Sequence, residues 1–251
     1  MLSQKENNVK IIVANWQMNG DFDFTYHYFK HLCECILPEN LLVVVCPPVQ
    51  FINLGFRMLM EHDITQICLG AQNVSSYTDN NITGGISATM LKECGAKAIL
   101  VENNYDNNKN DNANNKVQNI IKEGLCPIIS VTINLSQDKA MIQENISKQI
   151  DAFLQNISKL DVLMVAFSFA ASEQTNDALF LQNLSSTANA IKNSILTRCK
   201  INNLFILHTG NLNGSNIHTV ITSNNIDGAI LTDYSLQTHK FCETLEHLNI
   251  Q

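Results

Sequence analysis

The residues of this chain that could do chemistry stand directly behind apolar runs. Asn15 and Gln17 close "VKIIVA", Gln72 and Asn73 close "ITQICLGA", and Glu102 and Asn103 close "AKAILV". Ser130 sits within "CPIISVTI" and Ser168 behind "DVLMVAF". His208, Gly210 and Asn211 end the run that begins "NLFIL", and Thr232 and Asp233 follow "DGAIL". A histidine with two carboxylates, here His208 with Glu102 and Asp233, is a set able to move protons or hold a metal ion. A carboxamide donates and accepts hydrogen bonds but cannot shuttle a proton. Whether these groups meet depends on the elements that carry them.

Those elements alternate. Strands are expected at 9–16, 41–48, 64–72, 96–101, 126–133, 161–169, 203–210 and 227–233. Helices are expected at 22–36, 51–60, 87–95, 115–124, 139–157, 184–199, 214–225 and 238–249. The strands are nearly continuous apolar runs, as parallel strands covered on both faces must be. Helix 87–95 has a serine at its start and a glycine at its end, the expected cap pair. Eight βα units in one chain of this length predict an α/β fold, a single-domain (β/α)8 barrel over residues 1–251. No G-x-G-x-x-G follows the first strand, which argues against a doubly wound open sheet. In a barrel of this kind the C-terminal strand ends share one mouth, so the polar residues above become neighbours.

Bulk properties narrow the class. Hydrophobic residues make up 45% of the 251, enough for a sizeable core, and the net charge is −7. That balance gives no electrostatic footprint for nucleic acid or an anionic membrane. No run approaches the roughly 18 apolar residues of a membrane span. The polar start "MLSQKENNVK" has no signal-peptide core, so a cytoplasmic protein is expected. Eight cysteines are spread along the chain, and Cys33 with Cys35 is not a zinc or redox spacing. They read as reduced, packed thiols. No metal or cofactor is expected. Asparagine is over-used throughout and reads as compositional drift more than as a site.

Several stretches carry a family resemblance. "ANWQMNG" (14–20) resembles the first-strand signature N-W-K-M-N-G of triosephosphate isomerases. "VVVCPP" (43–48) is similar to their second strand, which ends V-A-P-P. "LGAQNVS" and "TGGISATMLKECGAKAILV" are similar to their third unit, and "DGAILTDYSL" to D-G-x-L-V-G-G-A-S-L. The resemblance covers most of the chain. It implies a TIM barrel, a role in glycolysis and gluconeogenesis, no cofactor, and a homodimer. In that dimer the loop around Thr83 and Gly84 would enter the partner near the Asn15 position. It also implies a reaction, proton transfer between adjacent carbons of a triose phosphate through an enediolate. That reaction needs a carboxylate base, a neutral imidazole, a lysine beside the developing charge, and a backbone nest for phosphate.

Position by position, the chain departs from those requirements. The family's lysine aligns with Gln17, while the neighbouring Asn15 is retained. The fourth strand of the family ends G-H-S-E-R-R, and here the six residues are Glu102, Asn103, Asn104, Tyr105, Asp106 and Asn107. Asn103 stands at the imidazole position. The sixth-strand A-Y-E-P-V-W-A-I-G-T-G aligns with "AFSFAASEQTN", which puts Ser168 at the base position and Phe169, Ala171, Gln174 and Asn176 in the lid. The phosphate motif Y-G-G-S-V becomes His208, Thr209, Gly210, Asn211 and Leu212. The eighth-strand glycine pair becomes Thr232 and Asp233, which sets a negative charge where a dianion would sit.

Three readings follow. The first is a family member that keeps the barrel, and with it the dimer, but is inactive or severely impaired as an isomerase: a pseudoenzyme. The second is a functioning triosephosphate isomerase, interconverting glyceraldehyde 3-phosphate and dihydroxyacetone phosphate, with Glu102, Glu173 or Asp106 as a relocated base. The third is a binder of, or an enzyme on, a different small molecule that carries no phosphate, using His208, Asp233 and Glu102.

Overall fold

The computed structural model describes residues 9–78, 81–102, 112–170 and 178–248. Its first half runs β1 (Lys10–Asn15), α1 (Phe22–Glu34), β2 (Leu41–Cys46), α2 (Ile52–Glu61), β3 (Ile67–Ala71), α3 (Ala88–Glu93), β4 (Ala96–Val101) and α4 (Ala113–Lys122). The second half runs β5 (Cys126–Ile133), α5 (Lys139–Leu154), β6 (Lys159–Phe169), α6 (Ala178–Leu196), β7 (Lys200–Thr209), α7 (Ile217–Ile221), β8 (Gly228–Leu231) and α8 (Thr238–Glu246). Short 3-10 turns, Val49–Phe51 and Asp233–Leu236, precede α2 and α8. All eight strands are parallel and close in sequence order, with β8 paired to β1. This is the (β/α)8 barrel that the alternation predicts.

Strand side chains alternate between two apolar compartments. Ile11, Val13, Val44, Ala98, Leu100, Ile128, Met164, Ala166, Phe205, Leu207 and Ile230 fill the barrel interior. Ile12, Ala14, Val43, Ile99, Ile129, Val165, Phe167 and Ile206 face the helices. Burial on both sides is why the runs are continuously apolar. The closing seam is tight. A Cβ on Gly228 would lie 1.9 Å from the Ile11 carbonyl oxygen, so only glycine fits there.

Local signals start the helices. Asp21 caps α1 by accepting from the Phe24 N–H at 2.8 Å, and Asp138 caps α5 by accepting from Met141 N–H at 2.9 Å. Ser87 caps α3, and Gly95 beyond it takes φ +101°, the anticipated pair. The asparagine excess is partly structural. Asn112 caps α4, and buried Asn114 donates to the Phe153 and Gln155 carbonyls.

At four elements the bounds differ from expectation for a visible reason. β6 and β7 begin at Lys159 and Lys200, earlier than their apolar runs, because Lys159 pairs with Lys200 and Leu160 with Ile201. Backbone pairing there does not depend on apolar side chains. α6 begins at Ala178, six residues early, with Phe180 buried one turn ahead of Leu184. α7 shrinks to Ile217–Ile221 because Asn213 accepts from the Ser215 N–H and holds 213–215 in a turn.

Candidate functional site

The β1 end of the mouth is a knot of carboxamides. Asn15, the last residue of β1, accepts from the Gln17 N–H through Oδ1 at 3.3 Å. Gln17 is held at φ +53°, a left-handed conformation that few non-glycine residues adopt. The Gln72 amide, one residue past β3, donates to the Gln17 carbonyl and to the Cys46 carbonyl, both at 2.9 Å. Asn19 donates to the Trp16 carbonyl at 2.8 Å. Trp16 itself is fully buried, 4.6 Å edge-on to Tyr28 and 5.1 Å from Phe24. The turn that presents Gln17 is thus anchored below by aromatics and across by one glutamine.

Above this knot is a cleft of about 450 Å³, lined by Asn15, Gln17, Met18, Asn19, Gln72, Leu100 and Glu102. Its described lining carries one carboxylate, Glu102, and no cation. Beside it, Asn73 accepts from the buried Lys116 ammonium at 2.8 Å. That ion–amide contact spans from the β3 end to α4.

The far side of the mouth is built differently. Ser168 lies opposite Thr132 in the β5–β6 ladder and shares the interior-facing alternation of Met164 and Ala166. Ser130, Asn15 and Glu102 continue the interior columns of Ile128, Val13 and Leu100 in the same way. His208 does not. It follows Leu204 and Ile206 toward the helices and is only 3% exposed. Its ring lies 5.1 Å from Phe167, 5.6 Å from Phe169 and 5.6 Å from Phe180. Burial pushes its pKa down to about 4, opposed by a hydrogen bond to the Phe167 backbone, and its Nδ1 is unpartnered. The histidine is a neutral core residue.

The loops after β7 and β8 bond to themselves. Asn216 accepts from the Asn213 N–H at 2.9 Å and donates to the Asn211 carbonyl at 3.0 Å. Leu212 N–H donates to the Gly210 carbonyl at 2.9 Å. Thr232 accepts from Ser235 through both its N–H and its hydroxyl, and Asp233 opens the 3-10 turn exposed to solvent.

The strand-end residues therefore divide. Asn15, Gln17, Gln72 and Glu102 share one cleft. His208, Glu102 and Asp233 do not form a common group, and among the described residues no three His, Cys, Asp or Glu side chains are placed to hold a metal ion. Asn103, Asp106, Ala171, Glu173, Gln174 and Asn176 lie outside the described residues. The two-residue alternation of β7 is the signal that separates His208 from the mouth, since Leu204 and Ile206 in the same column face the helices. Nothing in the sequence pointed to Asn213 and Asn216 as the residues that close their loop.

An eight-stranded parallel barrel with a polar cleft at its C-terminal strand ends belongs to the (β/α)8 class, whose sites lie at that face. A family model for triosephosphate isomerase matches residues 10–248. The chain belongs to the triosephosphate isomerase family. It is 27% identical over 243 residues to the triosephosphate isomerase of Dictyoglomus thermophilum, covering 92% of this chain and 96% of that one. It is 26% identical over 252 residues to that of Buchnera aphidicola subsp. Cinara cedri, covering 96% and 98%. The crystal structure of the Bartonella henselae triosephosphate isomerase superposes with a TM-score of 0.75 at 20% identity, covering 94% of this chain and 97% of that one, a likeness of fold.

Proposed function

We propose that this protein keeps the barrel of its family and has lost the isomerase chemistry, acting as a cytoplasmic pseudoenzyme that associates as a homodimer. The observation that carries the reading is Ser168. It stands at the interior-facing end of β6, where the family resemblance puts the carboxylate base, and a serine hydroxyl does not take a proton from carbon near neutral pH. Gln17 supports it, since the lysine position holds an uncharged amide in a cleft whose described lining has no cation. The self-bonded Asn213 and Asn216 loop supports it too, because backbone N–H groups engaged within the loop are not offered to a phosphate. General acid–base groups contribute about 10² to 10⁴-fold and one electrostatic stabiliser about 10² to 10³-fold. Loss of both kinds together leaves no efficient route to the enediolate.

A second reading draws support from Glu102. It lines the same cleft as Asn15, Gln17 and Gln72, so a relocated carboxylate base would have substrate-sized space in front of it. A cleft of carboxamides with one carboxylate also suits a hydroxylated ligand without phosphate better than a dianion.

The deciding experiment is isomerase turnover on glyceraldehyde 3-phosphate, with protein purified from a host lacking its own isomerase. The expected result is no rate above buffer, for the wild type and for Glu102→Gln alike. A clear wild-type rate that Glu102→Gln abolishes would establish the second reading and refute the first.

A further inference from the structure

At the opposite end of the barrel from the mouth, the first residues of β3, β4, β5 and β6 surround a second cavity, of about 510 Å³. Its walls are mostly apolar. Phe56, Leu59 and Met60 come from α2, Ile67 and Leu69 from β3, and Val162 from β6. Two charged side chains join them, Lys97 of β4 and Asp161 of β6. Two glycines shape the space. Gly95 and Gly124 carry the turns into β4 and β5 at φ +101° and +72°. A Cβ on Gly95 would lie 2.3 Å from the Phe56 ring, so Phe56 packs directly on bare backbone. A Cβ on Gly124 would meet no heavy atom within 4 Å, so the cavity is open beside it.

The walls are fixed by bonds that do not depend on an occupant. Gln66 donates to the Pro38 and Leu41 carbonyls at 2.6 and 3.2 Å, and the Ile64 N–H donates to the Leu59 carbonyl at 3.0 Å, which holds the loop between α2 and β3. Lys92 donates to the Glu123 carbonyl at 2.7 Å, next to Gly124. Asp161 accepts from the Asn202 amide at 3.0 Å, which ties the feet of β6 and β7. Lys97 differs from all of these. It is exposed at the rim and, among the described residues, takes part in no hydrogen bond or ion pair. A preformed apolar cavity of this size with one uncommitted cation at its edge has the make-up of a small-molecule site.

We propose that this cavity binds a small organic carboxylate with an apolar body, a medium-chain fatty acid in its simplest form. The apolar tail lies against Leu59, Ile67, Leu69 and Val162 and leaves water there. The carboxylate accepts from the Lys97 ammonium, a charge-assisted hydrogen bond. Asp161 sets the limit on charge. It disfavours a second negative charge in the same space, so a monoanion fits and a phosphate dianion does not. An organic cation meets the reverse arrangement, since Asp161 is engaged by Asn202 and Lys97 repels it. The proposal uses no residue of the mouth and stands whether or not the isomerase chemistry is lost.

The test titrates the full chain with octanoate, 1-octanol and octylammonium, which share one tail, by calorimetry, and locates the binding by methyl NMR. Octanoate should saturate a single site and raise the Tm. Octanol should bind roughly tenfold more weakly, because one charge-assisted hydrogen bond is lost, and octylammonium should not saturate. The methyl signals of Leu59, Ile67, Leu69 and Val162 should shift with octanoate, and that of Met18 in the mouth should not. Lys97→Met changes an exposed side chain, so it should fold as the wild type and bind octanoate no better than octanol. Lys97→Arg should keep the preference. No saturable octanoate binding, equal affinity for octanoate and octanol, octanoate binding unchanged in Lys97→Met, or shifts confined to the mouth would each overturn the proposal.

Discussion

His208 shows how one residue's surroundings decide its role. A histidine ringed by Phe167, Phe169 and Phe180 cannot be hydrated as a cation, so its pKa falls to about 4 from an ordinary value near 6.5. Between those two values the unfolded chain binds a proton at this site and the native chain does not. Stability from this residue is therefore complete above the unfolded pKa and drains away as the pH falls toward 4. Going from pH 7 to pH 5, the residue should cost the protein about 2 kcal/mol. Urea unfolding of wild type and His208→Phe at both pH values isolates it, since every other titrating group is common to the pair. The variant should lose less stability on acidification by about that amount. Equal losses would mean that the imidazole reaches water. Gln17 makes a complementary point. Its left-handed backbone is kept by bonds from Asn15 and Gln72 although its side chain carries no charge. Geometry and chemistry at that position are held by different atoms, so the chemistry is free to change alone.

At the scale of elements, the barrel depends on close approach at one seam and on caps at the outer layer. Gly228→Ala would drive a methyl into the Ile11 carbonyl, a backbone contact that no rotamer relieves. The loss should exceed the roughly 1–3 kcal/mol usual for overpacking and should show as insoluble or unfolded protein by circular dichroism. Asp138→Ala should cost only about 1 kcal/mol by chemical denaturation, because it removes a single N–H acceptor from α5. These elements were legible in the sequence wherever burial set the residue type. The eight apolar runs and the Ser87–Gly95 cap pair could be read directly. The polar feet of β6 and β7, Lys159 and Lys200, could not, since a ladder can extend past the core on backbone bonds alone. The mouth was half legible. Strand ends located Asn15, Gln17, Gln72 and Glu102, which do share a cleft, but the same rule placed His208 there too. Its partner Phe180 comes from α6, in a stretch that the sequence did not assign to the helix.

At the scale of the whole molecule, exposed apolar side chains stand on two loops beside the mouth. Met18 in the β1–α1 loop is 99% exposed, and Tyr77 and Ile82 in the β3–α3 loop are 43% and 41% exposed. The two loops are neighbours, because Gln72 at the root of one bonds to Gln17 in the other. Thr83 and Gly84 sit at the exposed tip beside Ile82, with Gly84 at φ +79° and no heavy atom near its Cβ position. In the proposed homodimer a second copy docks on these loops. Apolar residues gathered on adjoining loops are a frequent mark of an interface, whereas single exposed ones need no explanation. The wild type should therefore sediment as a dimer at micromolar concentration. Replacing Ile82 with Asp would place a charge at the loop tip and should yield monomers that keep the wild-type circular dichroism spectrum. If both proteins sediment as monomers, Met18 and Ile82 are exposed in solution and the dimer is lost along with the chemistry. If both remain dimeric, the contact lies on another face, and the loop around Thr83 and Gly84 is released from the constraint that the family resemblance implies.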